Sequence, residues 1–459
     1  MQFNSWLMKK TLLISLILLS WIFARCQHTL NGTISGMAGE KITLMQIFAD
    51  KHGLIDTTYS DEIGNFRFQL TDGLRPGMYR VAASSGPEID IIYNKEDIRF
   101  VFVRDEYGTY VQVIESVENM IYYDFVNLIQ KNLFRLDVLS PVVTYYPKND
   151  PFYGEVKNKV QNLREEISKR AQELTRNNPE TMASHFITVE HPVFAPIGLN
   201  EEEQKEYLKA HYFDHIDFSD TVLLKTSRIN SMIINYLTLY QSREDDRETT
   251  ENNLLMALDT VLEKSVANPE MYASVVDFLL EGFQSIGFDK GMEYISEHNQ
   301  LDQFCENTEK LIELQGKLEL ISRLAIGKTA PDFSHADMNG NMIHLDDIKA
   351  EKTLLVFWAA WCPHCKELVP ELNRIAQEYS EQQIKIIGVS VDTSLPDLQS
   401  VIDAYEISWP NIAEGKGWDG EIPGLYGIAA TPTMYLLDAD KKIIAKPINK
   451  RDLKKALGY

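Results

Sequence analysis

The chain is 459 residues long, enough for about three domains of ordinary size. Its 44% apolar and 24% charged residues, with 24 glycines and 17 prolines, exclude a disordered, collagen-like or disulfide-scaffold chain. Lys and Arg total 45 against 67 Asp and Glu, a net charge of −22, so the surface field repels phosphate backbones and anionic headgroups, and no nucleic-acid partner is expected.

Lys9 and Lys10 precede an apolar run at 11–24, followed by Arg25 and Cys26. The run falls short of the roughly 20 residues that a membrane span needs, and with its basic flank it reads as a secretory signal over 1–26. Export to the periplasm or cell envelope is expected. Cys26 has two readings: the acylated cysteine of a membrane-anchored lipoprotein, or the last residue of a small-x-small cleavage site. Arg25 is bulky where lipoprotein signals usually carry a small residue.

Residues 27–115 hold short β-type runs, at 41–47, 65–70, 78–82, 89–93 and 98–103, separated by turn signals such as Gly64-Asn65 and Pro76-Gly77. Phe66, Phe68 and Leu70 alternate with polar residues as a half-buried strand does. A small antiparallel sandwich is expected, without a cluster of catalytic side chains; the sequon at Asn31 is a common chance match.

Over 116–326 the period becomes helical. Val156, Val160, Leu163, Ile167 and Leu174 form one stripe, Leu254, Leu255, Leu258, Val261 and Leu262 another, and 303–324 continues in the same style. Acidic runs here, such as Glu201-Glu202-Glu203, read as solvated faces. His211 and His215 are four apart and on a helix would share a face, but no third ligand follows and no metal site is expected.

Residues 327–459 form the third region. A continuous apolar run at 353–358, a helix opening around 362–365 with Leu368, Val369, Leu372 and Ile375 on its apolar face, and a second buried run at 384–391 read as a parallel βαβ unit. Two cysteines with two residues between them at a helix start can close a disulfide without backbone movement. Cys362 would meet unpaired N–H groups and the positive end of the helix dipole, which stabilise a thiolate and make it the attacking sulfur; Cys365, one turn in, would act second. His364 can add a hydrogen bond or charge to that thiolate. Zinc would need a second ligand pair, and neither Cys nor His follows Cys365.

Trp361-Cys362-Pro363-His364-Cys365-Lys366 resembles the active site of the thioredoxin-fold thiol–disulfide oxidoreductases, and in particular their exported TlpA/ResA-like class. Pro370 matches the helix-kinking proline of that superfamily. The stretch Tyr426 to Thr433 resembles the loop whose proline, here Pro432 after Thr431, is cis and packs against the sulfurs. Ala330-Pro331-Asp332-Phe333 and Asn339-Gly340-Asn341 resemble its opening hairpin. The resemblance covers roughly the last 130 residues and implies a C-terminal α/β thioredoxin fold; with the two regions before it, a multidomain protein is expected, an N-terminal all-β sandwich and an all-α middle region preceding that fold. The resemblance also implies an enzyme without a cofactor. Cys362 attacks protein disulfides, Cys365 resolves the mixed disulfide to leave a Cys362–Cys365 bond, and a membrane-linked thiol donor restores the pair. Pro432 lies beside the sulfurs, and Trp361, Pro363, His364 and Thr431 tune them. Thr431 is expected to pair with an extended substrate segment.

The sequence departs from thioredoxin where Val356 replaces a buried acid and Gly388 the lysine that faces it. Related exported reductases carry a glutamate three residues past the second cysteine; here that residue is Leu368, and Glu367 is one position off. A thiol peroxidase would need Thr or Ser at Ala359 and Pro at Leu355. An isomerase, an oxidase and an envelope scaffold with a thioredoxin-like docking domain are the other readings. Cys305 reads as a buried inert thiol.

Overall fold

The computed structural model describes residues 28–49, 51–105, 108–304 and 308–458; the expected signal with Cys26, and Cys305, lie outside the described residues. Two compact units divide the chain. One holds the described residues up to Arg243 together with Glu263–Ser274, and the other holds Glu244–Leu262 and Val275–Tyr459.

The first unit begins with β1 (His28–Ile34), β2 (Lys41–Phe48), β3 (Lys51–Tyr59), β4 (Asn65–Leu70), β5 (Gly77–Ala83), β6 (Glu88–Tyr93), β7 (Ile98–Asp105) and β8 (Gly108–Glu115). They form two four-stranded sheets, ordered β4-β1-β7-β8 and β3-β2-β5-β6. The alternation at 65–70 does what a half-buried strand requires: Phe66, Phe68 and Leu70 are buried, and Arg67 and Gln69 face out. Gly32, opposite Phe66, is needed because a Cβ there would lie 2.1 Å from the Phe66 ring. The sheets are not purely antiparallel. β1 pairs with β7 in parallel, Leu30 against Ile98, because the intervening second sheet supplies the long crossover such a pair needs. β3, almost wholly exposed at a sheet edge, carries no alternation by which its sequence could announce it.

Helices α1 (Val117–Tyr145), α2 (Pro151–Asn177), α3 (Met182–Glu190), α4 (Glu201–His211) and α5 (Arg228–Thr238) follow. The predicted stripe of α2 is buried from Val156 to Leu174 and joins α1, α3 and both sheets in one core. Each large aliphatic there contributes about 1.5–3 kcal/mol relative to exposure. His211 ends α4 and His215 lies beyond it, so they do not share a helix face. His211 Nδ1 meets Asp214 at 2.7 Å, while His215 Nε2 lies 2.9 Å from the His191 carbonyl. Among the described residues no group of side chains could hold a metal ion.

The chain continues through α6 (Arg247–Ser265), α7 (Pro269–Ile286), α8 (Asp289–Glu297) and α9 (Glu309–Arg323). A hairpin of β9 (Ser334–Ala336) and β10 (Met342–His344) then precedes β11 (Lys352–Trp358), α10 (Pro363–Glu378), β12 (Ile384–Ser390), α11 (Leu395–Ala404), β13 (Asn411–Ala413), α12 (Glu421–Leu425), β14 (Thr433–Asp438), β15 (Ile443–Ala445) and α13 (Lys450–Leu457). The sheet order is β13-β12-β11-β14-β15, with β11, β12 and β13 parallel and β14 and β15 antiparallel. β11 lies in the middle and is buried from Thr353 to Trp358, which is why its sequence is an unbroken apolar run. This is a thioredoxin-like fold on a helical support. Arg323 of α9 donates to the Leu425 carbonyl at 2.8 Å, and Lys446 bridges to Glu293 of α8 at 3.0 Å.

Candidate active site

β11 delivers the chain to the N-terminus of α10, where Cys362 is the N-cap. Its extended backbone lets the sulfur accept the Cys365 N–H at 3.3 Å, and Pro363 occupies the first turn, where a missing N–H leaves nothing unsatisfied. Pro370 lies inside the same helix. Both cysteines are buried and unbonded, the dithiol form of the pair. The Cys362 thiol donates to the Thr431 carbonyl at 3.4 Å, and the Thr431–Pro432 peptide is cis.

The two sulfurs are made unequal by their surroundings. Burial resists ionisation of Cys362, but hydrogen bonds from the Cys365 thiol, the Thr431 side chain and the N–H groups of Cys365 and His364 outweigh it, and its pKa falls below the ordinary thiol value. Cys365 is pushed up to about 12, first by burial and then by its hydrogen bond and charge contact with Cys362. One sulfur is thus poised to be a thiolate while its neighbour holds a proton.

His364 serves this arrangement through its backbone N–H. Its ring is turned to solvent, 80% exposed, with Nδ1 3.7 Å from Glu367 Oε2, which corrects the expectation that the imidazole supports the thiolate. Glu367, itself 78% exposed, is turned outward with it, and Leu368 is buried. Trp361 stands exposed beside Cys362 and meets Trp418 edge-on at 6.2 Å.

Val356 and Gly388 are register partners on β11 and β12. The space of the missing ion pair is filled by Trp358, Trp409 and Asn411: the Trp358 indole donates to Asn411 Oδ1 at 2.9 Å, and a Cβ on Gly388 would lie 2.2 Å from that oxygen. Asp392, which the sequence did not single out, is buried at the end of β12. Its Oδ2 accepts the Ala360 N–H and the Ser390 hydroxyl, both at 2.8 Å, and so holds the loop that leads into Cys362. A lone acid fourteen residues beyond the end of α10 carries no spacing signal. Only the fold brings it to Ala360.

Residues 326–446 match the AhpC/TSA family, and residues 157–281 match a domain of unknown function, DUF5106. Thiol-disulfide oxidoreductase ResA of Bacillus cereus is 31% identical over 137 residues, covering 30% of this chain and 78% of that protein. The chain belongs to the ResA-type thiol–disulfide oxidoreductases. Like other members it is an oxidoreductase enzyme, and its thioredoxin-like domain is the part that carries the kinship. Thioredoxin-like protein YneN of Bacillus subtilis is 31% identical over 115 residues, 24% of this chain and 65% of the relative. Among solved structures, a thiol-disulfide oxidoreductase from Bacteroides fragilis is 29% identical and covers 28% of this chain and 97% of its own, with a TM-score of 0.27. A thioredoxin-like protein from Bacteroides caccae, 20% identical, covers 58% of this chain and 96% of its own, with a TM-score of 0.44.

Proposed function

We propose that this ResA-type oxidoreductase reduces disulfides of proteins in the cell envelope through Cys362 and Cys365. The observation that carries the reading is the inequality of the two sulfurs: a lowered Cys362 pKa at the N-cap of α10 and a Cys365 thiol pushed up to about 12. The Cys362 thiolate attacks one sulfur of a substrate disulfide and forms a mixed disulfide, and the other substrate sulfur leaves as a thiolate that takes up a proton. Cys365 then loses its proton and attacks Cys362 Sγ, releasing the second substrate thiol. Two electrons and two protons pass to the substrate, and the enzyme is left with a Cys362–Cys365 disulfide. A membrane-linked thiol donor reverses that bond for the next cycle.

The placement of His364 supports the reductase direction. A cationic imidazole over the thiolate would stabilise the reduced form and favour an oxidant; here the ring faces solvent and the Glu367 carboxylate. The envelope location rests on the basic and apolar pattern at 9–24, with Cys26 as a lipid anchor or the last residue of the cleavage site. Among the described residues no helix is long and apolar enough to cross a membrane. Equilibrating the full chain in glutathione buffers and quantifying the two thiols tests the direction. A potential clearly below that of glutathione is expected, and one at or above it overturns the reductase reading.

A further inference from the structure

A cavity of about 550 Å³ lies within the second unit, within the size range of small-ligand and side-chain sites. One wall is the loop of Ala430, Pro432 and Thr433, which flanks the residue that touches Cys362 Sγ; the facing wall comes from Leu280 of α7, Met292 of α8 and Ile321 of α9. The helical wall is tied to the loop. Leu320 packs directly over Gly427, where an added Cβ would come within 2.2 Å of it, and Glu293 holds both Lys446 and the Ile326 N–H at 3.0 Å. The loop whose Thr431 carbonyl accepts from Cys362 is therefore shared between the reactive sulfur and a cavity whose other wall is helical.

Charge narrows what fits there. The cations on the wall are already matched, Lys317 by Asp277 and by Glu313 at 3.6 Å, and Lys446 by Glu293. Asp289 also lines the cavity and has no hydrogen-bond or ion-pair partner among the described residues. Burial pushes its pKa up to about 6, against the pull of Lys446 and Arg247 and with the push of Glu293 and Glu251. The lining mixes apolar side chains with polar ones, and its carboxylates (Asp277, Glu281, Asp289) outnumber its cations (Lys317, Lys446), so it is complementary to a partly apolar segment that brings a cation.

We propose that the groove between the Pro432 loop and helices α7 to α9 binds the substrate polypeptide next to its reactive cysteine, and selects an apolar segment carrying a Lys or Arg side chain that meets Asp289. This rests on Cys362 and Cys365 being the reactive pair. The helices are thereby part of substrate recognition.

The test uses the full reduced chain and two peptides, each a mixed disulfide of one cysteine with glutathione, with flanks of Leu and either Lys or Glu. Hydroxyethyl disulfide, too small to need the groove, is the reference. Wild type is expected to favour the Lys peptide by at least about tenfold in kcat/KM, and Asp289→Asn to shrink that preference to about twofold. Ile321→Trp, which fills the cavity, is expected to raise KM for the Lys peptide about tenfold and leave the reference rate within about twofold. Equal use of both peptides by wild type overturns the proposal, as does an unchanged KM in Ile321→Trp. If Ile321→Trp does not fold, the near-isosteric Asp289→Asn decides by the same criterion. Self-association of the wild type that Ile321→Trp abolishes, with peptide kinetics unmoved, places a second copy in the groove and also overturns it. Failure of wild type to reduce hydroxyethyl disulfide instead strikes the Cys362/Cys365 reading.

Discussion

Two polar groups in the first unit and two in the second are treated in opposite ways. In the first, every oxygen of Glu118 is used: Oε1 accepts the Met182 N–H at 3.2 Å and the Asn94 amide at 2.7 Å, and Oε2 accepts the Ala183 N–H at 2.8 Å, so the carboxylate caps α3 from within α1. Asn119 pairs with both the N–H and the carbonyl of Ile92, as another strand would. In the second unit, the Cys362 sulfur is held by a 3.4 Å contact to a carbonyl, the neighbouring thiol and N–H groups at the start of α10, with no ionic partner, and Asp289 has no hydrogen-bond donor among the described residues. Saturated polar burial makes a scaffold, whereas groups left short of partners are where reactivity and recognition remain to be completed by a substrate.

The sharpest way to break that contrast is to remove the reactive sulfur. Cys362→Ser is expected to lower insulin-disulfide reduction by at least about a thousandfold while the thermal transition stays in place, and equal residual activity would return the chain to the scaffold reading. The first unit should respond in the reverse sense. Glu118→Ala leaves two backbone N–H groups and an Asn amide without acceptors, and a loss of about 2–4 kcal/mol in the denaturant transition of that unit is expected, with thiol reactivity unchanged.

A smaller effect lies in pH. Alkylation of Cys362 by iodoacetamide should reach half its limiting rate below the ordinary thiol value of about 8.5 and fall about tenfold per unit under that midpoint. Cys365 should stay unreactive until near pH 12. A Cys362 midpoint at or above the ordinary value would remove the inequality on which the mechanism stands.

The smallest expected effect tests whether the second unit has scaffolding of its own. Burial works against the Glu371 charge, but Arg374 and Lys450 hold the carboxyl down at about 2, and Lys450 at 2.8 Å and Lys454 at 3.6 Å tie α13 to α10. A depressed carboxylate contributes stability that is full above the unfolded pKa of about 4.3 and is lost as pH falls toward the folded value. Wild type should therefore lose stability between about pH 5 and pH 2 more steeply than Glu371→Gln, which at neutral pH is destabilised by about 1 kcal/mol.

Much of this was legible without coordinates because it is local. The Trp361 to Cys365 segment, Pro370 and Thr431-Pro432 stand at separations that a thioredoxin-like fold requires, and the alternation at 65–70 and the stripe from Val156 to Leu174 are periodicities a single element imposes on its own residues. Where periodicity was absent, as in the exposed edge strand β3, or where two residues only happened to be spaced like a helix face, as with His211 and His215, the sequence carried no usable signal.

What the amino-acid order determined by itself is the chemistry: two cysteines at a helix start, with a proline loop to face them. What the tertiary structure alone decided is the setting of that chemistry. It turned the His364 ring to solvent and left its N–H at the sulfur, brought Asp392 to Ala360, filled the space between Val356 and Gly388 with two indoles, and set α7 to α9 against the Pro432 loop. Each of these depends on residues far apart in the chain meeting at one place, and no spacing along the sequence encodes a distance that only packing creates.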